Sequence, residues 1–216
     1  MGLSMVDAIA ALGRVDYKEV GLEGFGKPDT FLERQVPRWL AHLKTYDDFD
    51  NYPGPDIPGL DEVSAWLEAN RPNEWTPGVI HGDFHLSNVM FKPASSDLAA
   101  VVDWELSTLG DPVLDLGWLM ATWPDEEGAS VSSAIVQPWE GFPTIEELIE
   151  RYRQGTTRDL SAIDWYGVLA CYKLGIILEG THARACAGKA PKAIGDRLHA
   201  STVSLFQRAK RMIART

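Results

Sequence analysis

Between Val79 and Glu105 the chain reads VIHGDFHLSNVMFKPASSDLAAVVDWE, gathering His81, Asp83, Asn88, Asp103 and Glu105 between short apolar runs. Asp83 follows a glycine, which lets backbone approach closely, and as a carboxylate it could take the proton of an attacking hydroxyl. Asn88 and Asp103 offer oxygen atoms, the donors preferred by a hard divalent cation. On one helix, residues five apart such as Asp83 and Asn88 would point about 140° away from each other, so only a loop aims both at one point. Val89 to Phe91 and Ala99 to Val102 read as two apolar strands joined by Lys92 to Leu98, which carries the turn formers Pro93, Ser95, Ser96 and Asp97. A turn centred between Ser95 and Ser96 would set Asn88 directly opposite Asp103, with Cα atoms about 4.5–5.5 Å apart. An amide oxygen and a carboxylate so placed can share one metal ion. Singly, each residue has a plainer use: a side chain bonded to its own turn, or a charge at a strand end. Jointly, a base followed by two metal ligands in this order is the arrangement of phosphoryl transfer, where positioning and charge neutralisation supply most of the catalysis.

The elements around this stretch are mostly helical. Leu3, Val6, Ile9, Ala10 and Leu12 lie at helical spacing, with Gly13 as a stop. A glycine-bearing loop, Val15 to Thr30, follows a helix rather than a strand, so GLEGFGKP is not read as a phosphate cradle. Thr30 and Glu33 suggest a capped helix to Leu43, which Pro37 would kink or start late. After a loop, Tyr46 to Gly59, comes a short helix, Leu60 to Asn70, and the connector RPNEWTPG. Beyond the central stretch, Asp111 and Pro112 should start a mostly buried helix, Val113 to Trp123, with Asp115 embedded among leucines. A loop from Pro124 to Pro143 leads to a capping box at Thr144 and Glu147, then a helix capped by Ser161 runs to about Gly188, and a last one runs from Pro191 to Ile213. The fold class expected is mainly α with one small β-hairpin.

At 216 residues and 45% hydrophobic content, the chain can bury a full core. Its net charge of −11, from 20 basic and 31 acidic residues, argues against a nucleic-acid binder and reads mainly as a solvated surface. Cys171 and Cys186 form no C-x-x-C pair and are expected to be reduced and buried. The apolar run at residues 1–12 is too short to span a bilayer and lacks a basic flank. A cytoplasmic protein with no membrane partner is the expectation.

HGDFHLSN resembles the catalytic loop H-x-D-x-x-x-x-N of the aminoglycoside phosphotransferase-like kinases, and VVDWE their metal-binding segment. GDPVLDLGWLM is a third matching block, in the right order and spacing. Within that family the resemblance is closest to the kinase-like domains of acyl-CoA dehydrogenase 10/11-type proteins. It covers residues 1–216 as the C-terminal lobe of a protein-kinase-like α+β fold, with residues 79–105 as catalytic loop and metal-binding hairpin and residues 144–216 as a helical substrate-side subdomain. The resemblance implies ATP as phosphoryl donor, Mg²⁺ as the metal and a small-molecule hydroxyl as acceptor. It makes Asp83 the catalytic base or hydroxyl-orienting group, Asn88 and Asp103 the Mg²⁺ ligands, and His81 a structural member of the loop. Asp115 would hold the loop through backbone hydrogen bonds, and Glu105 would play a structural or supporting part. His85 and Ser87 depart from the basic and acidic residues common there in relatives, so a phosphate role is not assigned to His85. Trp165, Tyr172, Glu179 and His182, on the C-terminal helices, are guesses for the acceptor pocket.

The resemblance also calls for a nucleotide-covering loop, a strand lysine and a helix glutamate, and none is found; Lys18, Lys27 and Lys44 lie in loop or helical context and Lys92 on the hairpin. The N-terminal lobe is therefore expected to be absent, the chain being a fragment or truncated product with little activity alone. Two rival readings are a hydrolytic metal cluster, His81-x-Asp83-x-His85, and a non-catalytic, degenerate kinase lobe that acts as a binding module.

Overall fold

The computed structural model describes residues 1–124, 136 and 139–216. Among these the order is α1 (Gly2–Gly13), α2 (Gln35–Lys44), α3 (Leu60–Ala69), β1 (Gly78–Ile80), β2 (Val89–Phe91), β3 (Leu98–Val101), β4 (Thr108–Gly110), α4 (Val113–Thr122), α5 (Ile145–Gly155), α6 (Ile163–Cys186) and α7 (Lys192–Ile213). The sequence of α4, VLDLGWLMAT, has no polar face, and a helix apolar on all sides has to be enclosed. All ten of its residues are buried. Its start is fixed by Asp111, whose Oδ1 accepts the Val113 N–H at 3.0 Å and whose Oδ2 accepts the Tyr166 hydroxyl at 2.6 Å. Its end is closed by Arg208, which donates to the carbonyls of Met120, Ala121 and Trp123 at 3.1, 2.8 and 2.7 Å. A guanidinium suits that place because the last carbonyls of a helix lack intrahelical partners and carry its negative pole.

α6 packs along α4, and α7 returns antiparallel to α6. Tyr172 meets Phe206 edge-on, and the Thr202 hydroxyl donates to the Gly175 carbonyl at 2.9 Å. Two antiparallel sheets of two strands complete the frame: β1 with β4 and β2 with β3. The mainly helical class and the hairpin stand as expected, and the β1–β4 pair is an addition. Its strands are three residues each and some thirty apart in sequence, too short for a periodicity signal.

Three local expectations need correction. The second helix starts late, at Gln35, after a 3₁₀ turn over Pro28–Thr30; this puts Pro37 in the first turn, where a missing N–H costs nothing. Ser161 does not cap α6, which begins at Ile163; its hydroxyl donates to Asp159 Oδ2 at 2.6 Å instead. Cys171 is buried, whereas Cys186 is only partly so. The capping box at Thr144 and Glu147 is present in full. Most of the loop expected from Pro124 to Pro143 lies outside the described residues. No helix among the described residues is long and apolar enough to cross a membrane.

Replacing Arg208 by Met keeps the apolar stem but orphans three buried carbonyls. Stability should fall by about 1.5–3 kcal/mol, the range for hydrogen bonds to a charged group. A urea midpoint that drops at unchanged slope would register it, and Arg208→Lys should recover only part, because the shorter lysine stem does not carry its nitrogen to the position of the Arg208 Nη1 that serves all three carbonyls.

Candidate active site

Strand β1 pairs with β4 so that Ile80 lies opposite Thr108, and the chain leaving β1 passes over the first turn of α4. There Asp115, 1% exposed, grips the passing backbone: the His81 N–H donates to its Oδ2 at 2.7 Å and the Gly82 N–H to its Oδ1 at 2.9 Å. A carboxylate in a leucine-rich helix is tolerable when both oxygens are so engaged. Burial still dominates and raises the Asp115 carboxyl above its ordinary value, against the opposing pull of these two N–H groups and of the Lys173 charge. Gly82 has φ +85°, and a Cβ there would collide with the Leu106 carbonyl; the turn needs glycine on both counts.

His81, fully buried, has both ring nitrogens in use. Nδ1 accepts the Asp83 N–H at 3.3 Å, so the proton sits on Nε2, which donates to the Val102 carbonyl at 2.9 Å. The Val102 N–H in turn donates to the Asn88 carbonyl at 2.9 Å. Val102, the residue before Asp103, is thus clasped by both ends of the loop. The expected register is off by one: Val89 pairs with Val101 and Met90 with Ala100, whereas Phe91 pairs with Leu98, leaving Ala99 as a bulge. The turn closes through Lys92 N–H to the Asp97 carbonyl at 2.9 Å, with Ala94 at φ 55°. Asn88 therefore faces Val102, not Asp103. A slip of one residue reverses the face of every side chain, but Asp103 leaves the extended conformation, with φ 67° and ψ 58°, and so breaks the alternation that would have carried it to the far side. A left-handed non-glycine residue costs of order 1 kcal/mol and more and tends to persist at functional sites.

Asp83 is held at both oxygens. His85 Nε2 lies 3.2 Å from Oδ1, and because His85 Nδ1 accepts the Ser87 N–H at 3.1 Å, the proton facing Asp83 is on Nε2. Asn88 Nδ2 donates to Oδ2 and to the Asp83 carbonyl, both at 2.9 Å. These bonds assign the Asn88 amide and leave its Oδ1 as the oxygen available to a cation. Each Asp83 oxygen keeps a lone pair for a substrate hydroxyl. Asp103 is exposed and makes no side-chain capping bond. Nearby on α6 stands Lys173, 7% exposed, its Nζ 5.5 and 5.2 Å from the ring centres of Trp39 and Trp118. Burial lowers its pKa to about 8, with Asp115 and Asp83 opposing the shift and Arg38 adding to it. Sequence reading passed over both His85 as an orienting group and Lys173; a lysine inside the apolar run ACYKLGII was the available sign of the latter.

The remaining candidates are scattered. Glu105 is exposed on the turn Trp104–Leu106 and makes no hydrogen bond or ion pair among the described residues. Trp165 is buried with its Nε1–H on the Leu67 carbonyl at 2.9 Å, and Tyr172 is fully buried, its phenol pushed up to about 12 chiefly by burial. Neither offers a surface to an acceptor. Glu179 and His182 lie further along α6 in a cluster with Tyr52 and His199. The rival cluster of His81, Asp83 and His85 fails on geometry, because backbone groups occupy both His81 nitrogens.

Residues 1–153 match the phosphotransferase enzyme family. The chain belongs to this family. Among curated relatives, acyl-CoA dehydrogenase family member 11 of Rattus norvegicus is 33% identical over 191 residues, a match covering 86% of this chain and 24% of that protein. The chain thus spans about a quarter of the relative's length. A solved structure described as a candidate aminoglycoside phosphotransferase from Ralstonia eutropha superposes with a TM-score of 0.79 at 29% identity, over 97% of this chain and 65% of that one. Choline kinase from Cryptosporidium parvum shares the fold with a TM-score of 0.61 at 11% identity, over 99% of this chain and 66% of that one. Both superpositions show a kinase-like fold over nearly the whole of this chain.

Asp115→Asn keeps one acceptor but turns an NH₂ toward a loop N–H. A loss of about 1–3 kcal/mol is expected for the buried donor left unpaired. Because the folded carboxyl sits above 3.8, the folded chain binds this proton more tightly than the unfolded one. That share of stability is complete below about pH 4 and is lost as pH rises through the folded value. Urea midpoints measured upward from mildly acidic pH should decline less steeply in Asp115→Asn than in the parent.

Proposed function

We propose that this chain carries the acceptor-side and metal-side groups of an ATP-dependent phosphotransferase acting on the hydroxyl of a small molecule, as the C-terminal lobe of a kinase-like fold. The observation that supports it most directly is the state of Asp83: both carboxylate oxygens are oriented by N–H donors, from His85 and Asn88, and both retain capacity to accept the acceptor's proton. The donor set beside it suits Mg²⁺, since Asn88 Oδ1 and the Asp103 carboxylate are hard oxygen ligands. Bound there, the ion would supply charge neutralisation on the phosphates of ATP.

The protein's own groups then have separate tasks. Asp83 receives the hydroxyl proton as the acceptor oxygen attacks. His85 and Asn88 keep that carboxylate from turning away. His81 and Asp115 hold the loop backbone so that the geometry does not depend on the ligand. Asn88, Met90, Ala100 and Val102 occupy one face of the hairpin by register, and Met90 and Val102 are exposed at 57% and 37%. That apolar patch next to the metal ligands gives a purine ring a surface to lie on.

Asp83→Asn should leave Mg²⁺-dependent ATP binding within about threefold and lower phosphate transfer to a hydroxyl panel by about 10²–10⁴-fold, the usual worth of a positioned base. Asp103→Ala should instead abolish the metal dependence of nucleotide binding, read by titration with and without Mg²⁺. Transfer that survives Asp83→Asn, or the absence of any metal-dependent nucleotide binding in the parent, would sink the catalytic reading and leave a binding module.

A further inference from the structure

Six residues beyond Lys173, roughly 9 Å further along α6, a second group of polar side chains meets at the α6–α7 interface. Glu179 is fully buried. Its Oε1 accepts the Tyr52 hydroxyl at 2.9 Å, and its Oε2 lies 2.8 Å from His199 Nδ1 of α7. His182, one helical turn after Glu179, stacks loosely on His199, with ring centres 4.6 Å apart and planes tilted 31°. The Sγ of Cys186, one turn further, is 3.7 Å from His182 Nε2. His182 Nδ1 is buried with no hydrogen-bond partner among the described residues. Buried polar nitrogens are nearly always matched, so this ring, with a thiol as its sole hydrogen-bond contact, lacks what usually holds an imidazole in place.

We infer that Glu179, His182 and His199, with Cys186, form a binding site for a divalent cation of borderline softness, for which Zn²⁺ is the natural probe. One ligand atom from each of the first three lies within 4.8 Å of the others. A tetrahedral zinc ion needs such atoms about 3.3 Å apart and a nitrogen and sulfur about 3.6 Å apart, given bonds of about 2.0–2.1 and 2.3 Å. The His182–Cys186 pair already has that spacing, and the widest pair among Glu179, His182 and His199 has to close by up to about 1.5 Å through side-chain rotation. The positions along the chain are suited to it: Glu179, His182 and Cys186 are spaced three and four apart on one helix, hence on one face. Gly195 opens the way for the fourth, since a Cβ there would collide with Ala185 and lie 3.3 Å from His182 Cα. This close approach of α7 brings His199, one turn on, to the face of α6. Tyr52 stays on the outer oxygen of Glu179 and orients it, as supporting hydrogen bonds do around zinc. On binding, the ion replaces the proton shared by His199 Nδ1 and Glu179 Oε2, which passes to solvent or to His199 Nε2, and the Cys186 thiol releases its proton as it ligates. Mixed nitrogen, oxygen and sulfur donors favour zinc over magnesium, which separates this site chemically from the oxygen ligands near Asp83. It would pin α6 to α7.

The test uses the full chain, stripped with a chelator, loaded with one equivalent of Zn²⁺ and dialysed. One zinc per chain should be retained, with a rise in the thermal midpoint. His182→Ala and His199→Ala should each weaken zinc binding by at least the 10–100-fold that loss of a mere supporting residue costs at zinc sites, while Asp103→Ala should leave it unchanged. Failure to retain zinc, or retention indifferent to both histidine replacements, overturns the site. Should those variants fold poorly, Co²⁺ loaded into the parent gives a second reading. A thiolate-to-cobalt absorption that disappears in Cys186→Ser supports the assignment, and no such band in the parent removes Cys186 from the site.

Discussion

A single buried carboxylate organises the candidate active site. Asp115 lies within a helix whose ten residues are all buried, and it accepts the N–H groups of His81 and Gly82 as the backbone leaves β1. Two charge-assisted hydrogen bonds in an apolar surround fix the loop's entry far more firmly than solvated contacts could. Everything downstream inherits that position: the left-handed turn at Gly82, Asp83 directly after it, and the His81 ring that reaches across to the hairpin. The helix carrying Asp115 is in turn held at its start by Asp111 and at its end by Arg208, so polar groups anchor an otherwise apolar element at both termini.

The second constraint is the clasp on Val102. Its N–H goes to Asn88 and its carbonyl to His81, which joins the loop that bears Asp83 to the segment that bears Asp103. Catalytic groups on loops need such rigid support, because a misplacement of about 1 Å can cost about 100-fold in rate. Here the side chains of Asp115 and His81 hold backbone groups of the loop and hairpin, which leaves the Asp83 and Asp103 carboxylates and the Asn88 Oδ1 for chemistry. The strained backbone at Asp103 fits the same pattern: the cost is tolerated because Val102 before it is held at both its N–H and its carbonyl.

Helix α6 serves two polar clusters from one apolar body. Lys173 lies between the rings of Trp39 and Trp118, and Glu179 and His182 meet α7 two turns away. Both clusters are buried charges or imidazoles in surroundings that would otherwise be core, and each depends on a neighbour on a different element. The formal charge of −11 plays no visible part in either; it is a property of the solvated faces.

The sequence by itself carried whatever is decided over a few residues. The loop from His81 to Asn88, the start of α4 at Asp111 and Pro112, the capping box at Thr144 and the presence of the β2–β3 hairpin are all local, set by side-chain capping, turn chemistry and short-range pattern. The odd placement of Asp115 among leucines was legible for the same reason, since a lone charge in an apolar helix must have a partner. Only the tertiary structure decided the register of the hairpin, where a bulge at Ala99 and a left-handed Ala94 moved Asn88 from Asp103 to Val102. It alone also decided the pairing of β1 with β4, the burial of Trp165 and Tyr172 away from any acceptor, and the meeting of His199 with Glu179 across two helices. These depend on contacts between residues tens of positions apart, whose energies no local pattern records, whereas caps and turns are satisfied within the segment that forms them.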